Sequence, residues 1–167
     1  VILPKITVPE EVAALAALRD ALEAKLGHAN GAIGIELMIE APQIVLDASG
    51  ASGLPRLLDA GRGRVVGAHL GAYDYTAACH IIATEQHMRH PACEFAKQVM
   101  IATLSGTGVW LSDGSTNLLP IAPHRASADR PLTADERDQN AHAVQRAWRI
   151  HAGNVRHSLA GGFYQGW

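Results

Sequence analysis

Glu40 ends the run Gly34-Ile35-Glu36-Leu37-Met38-Ile39-Glu40-Ala41-Pro42, and Asp74 ends Leu70-Gly71-Ala72-Tyr73-Asp74-Tyr75. Each acid closes a strand-like apolar run just before a helix-like one. Carboxylates at the carboxyl ends of neighbouring parallel strands converge on one side of a sheet, where a divalent cation preferring hard oxygen ligands can be shared between them. An ion held this way acts as a Lewis acid on a bound carbonyl or carboxylate. Both acids also have a plainer reading. Glu40 would cap Gln43 or its neighbours at a helix start, and Asp74 would be the N-cap of a helix beginning near Thr76.

Other groups compete for attention. Glu36 shares a strand face with Glu40 but lies about 13 Å deeper at ~3.3 Å per residue, too far for one ion, so it is expected to pair with a base such as His69 or Lys5. His69 faces the same way as Gly67 and Gly71 and is read either as a hydrogen-bonded interior histidine or as a group that orients a ligand. Tyr73 and Tyr75 flank Asp74, to touch substrate or to cover a helix start. Cys79, His80, His87, His90 and Cys93, with Glu94 adjacent, carry zinc-type atoms, but Pro91 interrupts them and no Cys-x-x-Cys or His-x-x-x-His knuckle is present. Packed thiols and surface histidines are the expectation there. Asp113-Gly114-Ser115-Thr116-Asn117 is a weak substrate-loop candidate that is equally plain turn chemistry. His142, Trp148, Arg149, His151, Arg156 and His157 share one helix and read as an oligomer surface.

The elements that must position these groups follow from periodicity. Residues 1–6 read as a short strand, and Thr7 with Glu10 as a capping box opening a helix. Val12, Leu15, Leu18, Leu22 and Leu26 form its expected buried stripe, with the charged residues off it. Glycines at 27–31 end it. Residues 32–40 alternate, with Ile33, Ile35, Leu37 and Ile39 on one face and Gly34, Glu36, Met38 and Glu40 on the other. The aliphatic face should meet helices. Short helices are expected at 43–48 and 54–60, a strand at 64–70, a long helix at 76–89, a second at 92–104, a strand at 109–112, an extended loop at 115–130, and a last helix from Pro131 to about 159. Four strand–helix units without hairpin dipeptides imply a parallel sheet. A glycine and two acids on one strand face favour a barrel interior. An open doubly wound sheet is the alternative, although no Gly-x-Gly-x-x-Gly joins a strand to a helix.

Composition narrows the function classes. The chain has 167 residues, 48% of them apolar and 18% charged, which suits one globular domain over 1–167. A net charge of −2, with its 14 Lys and Arg scattered, gives no basic field for a phosphate backbone, so nucleic acid is not expected as a partner. No apolar stretch approaches the roughly 20 residues that span a bilayer, and no charged leader precedes one, so no membrane association and a cytoplasmic location are expected. Cys79 and Cys93 are too few for a disulfide framework. Residue 1 is not Met, and 161–167 reads as a loop entering another strand, so the sequence is expected to be an excerpt.

Four motifs in order carry a resemblance: Leu3-Pro4-Lys5, Ile39-Glu40-Ala41, Gly71-Ala72-Tyr73-Asp74, and Gly162-Phe163-Tyr164-Gln165-Gly166. The chain resembles the HpcH/HpaI aldolase and citrate lyase beta-chain family of metal-dependent carbon–carbon lyases, with one extra residue before the last glycine. The resemblance implies a (β/α)8 TIM barrel of the pyruvate/phosphoenolpyruvate type, of which this chain covers about strands four to seven and the approach to strand eight. It implies Glu40 and Asp74 as ligands of Mg2+ or Mn2+, and Glu40, Gly71, Ala72, Tyr73 and Asp74 around a keto-acid or acyl-CoA substrate. His69 and Glu36 stand behind them. The family's carboxylate-binding arginine and its Ile-His-Pro segment have no counterpart, so this segment alone is expected to be inactive. A Schiff base on Lys5 is the rival chemistry, against which the metal pair and Pro4 argue. A barrel that binds a keto acid or a protein without turnover is the alternative from another class.

Overall fold

The computed structural model describes residues 1–164 and Gly166. Gln165, within the last motif, and Trp167 lie outside the described residues. The elements in order are β1 (Ile2–Leu3), α1 (Pro9–Leu26), β2 (Ile35–Ile39), α2 (Pro42–Val45), α3 (Leu54–Ala60), β3 (Val65–Leu70), α4 (Ala72–Ala78), a 3-10 turn (Ala83–Glu85), α5 (Pro91–Leu104), β4 (Trp110–Ser112) and α6 (Ala134–Ala160). The strands form one four-stranded sheet in the order β1-β2-β3-β4. Every neighbouring pair is parallel, with Leu3 beside Leu37, Leu37 beside Ala68, and Ala68 beside Leu111.

The alternation in β2 does what its period requires. Ile35, Leu37 and Ile39 are almost wholly buried and join Val12 and Ala16 of α1, Leu54 and Leu57 of α3, and Ala96, Met100 and Leu104 of α5 in a single core. α1 packs on α3, and α5 on α3 and β3. The opposite face is different. Glu36, Met38 and His69 are only partly covered there, and Trp110 is 62% exposed. The chain is therefore an α/β fold with a parallel sheet, only partly covered on the face that carries the polar side chains.

Several boundaries differ from the sequence reading, each for a visible reason. β1 is only two residues long, because Pro4 cannot donate to a ladder and Lys5 turns the chain at φ 51°. α1 is capped by Glu11 rather than Glu10, with the N–H groups of Thr7 and Val8 donating to its Oε2 at 2.7 and 3.2 Å. Its inward face is Val12, Ala16, Arg19 and Glu23, while Leu18, Leu22 and Leu26 are exposed. A buried ion pair sets that rotation: Arg64, at the start of β3, donates to Glu23 at 2.7 and 3.0 Å. α4 begins four residues before the expected start and ends at Ala78, where His80 adopts φ 61° and breaks the helix. The ends of α3 and α5 and the strands β3 and β4 fall within about two residues of expectation, while β2 starts three residues late, at Ile35.

Beyond β4, the polypeptide is tied back to the sheet. Tyr164 N–H donates to Leu111 O at 3.1 Å, and Phe163 is buried. Among the described residues no helix is long and apolar enough to cross a membrane.

Candidate functional site

Glu40 directly follows β2, and Gly71 directly follows β3, so both lie at the carboxyl edge of the sheet. Gly71 N–H donates to Ile39 O at 3.0 Å, extending the β2–β3 ladder by one rung. Glu40 then folds over Gly71. A Cβ on residue 71 would stand 2.3 Å from Glu40 Cγ and 2.6 Å from Oε1, so only glycine leaves room for the carboxylate. Gly71 O accepts from Tyr75 N at 2.9 Å, the first bond of α4. Asp74 thereby sits in the first turn of α4, not as the N-cap of a later helix.

Lys5 joins the two acids. Its N–H donates to Glu40 Oε2 at 2.7 Å, and its Nζ reaches Asp74 Oδ2 at 2.5 Å. The left-handed φ of Lys5 makes this double contact possible, because it turns the N–H back toward β2 while the side chain points to α4. A cavity of about 330 Å³ opens here, lined by Lys5, Thr7, Glu40, Pro42, Gln43 and Asp74 among others.

The two carboxyls are biased in opposite directions. Burial pushes the Glu40 carboxyl above its ordinary value, the Lys5 N–H pulls it back, and the Asp74 charge adds to the rise. The Lys5 ammonium holds Asp74 below the usual range. Lys5 in turn is raised, chiefly by its bond to Asp74, so the amine stays protonated and is poorly suited to attack a carbonyl. Two oxygen-donor groups beside a cation, one of them 8% exposed and fixed in place, are a donor set that suits Mg2+ or Mn2+ with waters completing the shell. Among the described residues no group of three or more His, Cys, Asp and Glu is arranged to hold a metal, so an ion here would rest on these two carboxylates alone.

The remaining expected site residues are distributed as follows. Ala72 is buried, and its carbonyl accepts from Thr76 Oγ1 at 2.7 Å. The first-turn N–H groups of Ala72, Tyr73 and Asp74 have no carbonyl of their own helix to bond. The Tyr73 side chain turns away from the acids and donates to Ser115 O. His69 Nδ1 lies 2.9 Å from Ser112 Oγ, and burial keeps the ring below its ordinary pKa despite the charges of Glu36 and Asp113. Glu36 folds over Gly67, whose absent Cβ would stand 3.3 Å from its Cγ. Lys5 pairs with Asp74, and His69 with Ser112, so neither makes the expected pair with Glu36.

The cysteine and histidine group is dispersed in its roles. His90 Nδ1 accepts from Ala92 N at 3.1 Å and caps α5. Cys93 is buried, and its thiol is pushed up to about 12 by that burial. Glu94 bonds Lys97 and His157 at 2.7 and 2.8 Å. Asp113 is not a substrate-loop residue either. It is fully buried, accepts from Lys97 Nζ at 3.1 Å and from Ser158 Oγ, and clasps β4 to α5 and α6. Sequence reasoning missed this clasp and the Lys5–Asp74 bond, since neither a lysine in a helix pattern nor one after a proline announces its partner.

Comparison with curated proteins returns no match. A family model described as a domain of unknown function, DUF6986, matches residues 1–167. The match runs the whole length of the sequence, and the chain belongs to that family.

Proposed function

We propose that this chain carries the metal-holding part of a carbon–carbon lyase, which makes or breaks a bond beside the enolate of a keto acid or acyl-CoA. The observation that carries this reading is the meeting of Glu40 and Asp74 over one cavity at the carboxyl edge of adjacent parallel strands. The sequential strand order and the partly covered polar sheet face support a (β/α)8 barrel, in which such an edge is where chemistry is done. The ordered motifs at Leu3, Ile39, Gly71 and Gly162 support the family resemblance.

Glu40 and Asp74 would hold Mg2+ or Mn2+. When bound, the ion would polarise the carboxylate and keto oxygens of the substrate. The residues of the chain supply the rest. Gly71 leaves the space that Glu40 fills, and the Lys5 N–H fixes Oε2 of Glu40. The Lys5 side chain is 66% exposed, free to leave Asp74 when a cation of higher charge arrives. Mg2+ titration of the chain by calorimetry, together with assay of pyruvate release from candidate hydroxy-keto acids and acyl-CoA substrates on the complete barrel of which this reading makes the chain a part, tests this. Glu40→Gln and Asp74→Asn should each lose metal binding and turnover. Turnover unchanged in Glu40→Gln sinks the reading.

A second reading, a domain that binds a keto acid or protein without turnover, is favoured by one observation: the Lys5 ammonium pairs with Asp74 and places a cation of the protein's own beside the two carboxylates. Lys5→Met separates the two. A competing ammonium removed from a metal site should tighten Mg2+ binding, whereas a ligand-holding ammonium removed from a binding site should weaken keto-acid binding and leave Mg2+ without effect.

A further inference from the structure

A cavity larger than the one beside Glu40 lies elsewhere among the described residues. It encloses about 580 Å³ between the 84–89 segment, the loop at 117–118 and α6, within the roughly 300–1,000 Å³ range of small-molecule sites. Arg89, from the segment before α5, and Arg146, from α6, both line it, and so does His87. None of the residues around it is acidic. The arginines that form ion pairs among the described residues are Arg56, Arg62, Arg64 and Arg130, which leaves the guanidinium groups of Arg89 and Arg146 available to a ligand. A second cavity of about 300 Å³, on the Arg156 and His157 side of Arg89, continues the positive field.

The walls are tied in place. Tyr73 Oη donates to Ser115 O, Asn154 Nδ2 donates to Thr116 Oγ1 at 2.9 Å, and Asn117 Nδ2 reaches Gln86 O at 3.5 Å. The loop is thus held from α4, from α6 and from the segment before α5. Leu118 and Ile150 add an apolar wall. Two guanidinium groups lining one cavity match the charge of a phosphate dianion, which arginine can bind through paired N–H donors, and the remaining volume with its apolar side suits an organic body.

We propose that this cavity binds a small organic phosphate, its phosphate or diphosphate group held by Arg89 and Arg146 and its body laid against Leu118 and Ile150. Glu40 and Asp74 do not line this cavity, so the inference stands apart from the lyase reading, and its failure would leave that reading intact.

Calorimetric titration of the full chain with pyrophosphate, and with citrate as a polycarboxylate of similar charge, tests it. Pyrophosphate should bind, more weakly as salt is raised. Arg89→Gln and Arg146→Gln should each weaken binding about tenfold or more, the scale of one contact between charged groups, while Arg125→Gln should not. Arg146→Lys should restore part of the loss if charge acts beside fork geometry. Absence of pyrophosphate binding at millimolar concentration overturns the proposal. So does citrate binding as tightly as pyrophosphate, or an equal loss in Arg125→Gln.

Discussion

Gly71 is where strand, helix and candidate site are made to agree at a single residue. Its missing side chain is filled by Glu40, its N–H continues the ladder to Ile39, and its carbonyl starts α4. Gly71→Ala should therefore cost stability through overpacking, about 1–3 kcal/mol in a urea titration. It should also lower Mg2+ affinity, because the carboxylate that moves aside is the proposed ligand. Unchanged stability together with unchanged metal affinity would show that Glu40 does not use this space. The two acids were legible in the sequence, since strand-end position is a local property of apolar runs. Lys5 was legible as a basic group near the site but not as the partner of Asp74, because that contact depends on a left-handed turn after Pro4.

Between elements, the most exacting contact is the one sequence reasoning did not reach. Lys97 of α5 and Asp113 after β4 are both buried, and Ser158 of α6 donates to the same carboxylate. Lys97 also lies 5.8 Å from the centre of the Phe163 ring, so the pair closes the core where the chain returns to β4. Lys97→Ala would strand Asp113 without a counter-charge, and a loss of about 3–5 kcal/mol is expected from denaturant unfolding. Combining Lys97→Met with Asp113→Leu should recover a good part of it, as apolar replacements of buried pairs do. A double variant no more stable than Lys97→Ala would instead locate the loss in Ser158 and the α6 contact. β2, β3, β4, α3 and α5 were legible because a period of two or of 3.6 is written locally. The face of α1 was not. Its leucine stripe is the better hydrophobic match, yet Glu23 turns inward to meet an arginine 41 positions away, a distance no window of local pattern can see.

Across the molecule, the sheet has polar clusters at both ends, and Glu23 in one responds to acid oppositely to Glu40 in the other, while Asp74 beside Glu40 has the sign of Glu23. At the amino end, Arg64 holds Glu23 down to about 2 from 4.5, helped by the N–H groups of Ile33 and Gly31 and opposed by burial. A carboxyl whose folded value lies below its unfolded value stabilises the fold fully above the unfolded value and loses that contribution as pH falls toward the folded one. Glu23 thus stabilises the protein above about 4.5 and ceases to do so as pH approaches about 2. Glu40 at the carboxyl end has the reverse sign: its folded value is raised, so ionising it on the way to neutral pH weakens the fold. Urea midpoints measured from pH 7 to pH 2 should fall through the Glu23 window. In Arg64→Gln the midpoint should be lower at pH 7 and should change less on acidification, because the group that lowered Glu23 is gone. In Glu40→Gln the midpoint at pH 7 should rise, since that variant removes an ionisation the fold resists. A fold with its structural ion pair at one end of the strands and a carboxyl whose ionisation burial opposes at the other keeps stability and proposed chemistry apart, so these two variants should move the midpoint in opposite directions at neutral pH. Movement of both in the same direction would show that Glu40 belongs to the stabilising set and would remove the physical ground for treating it as a site held for a ligand.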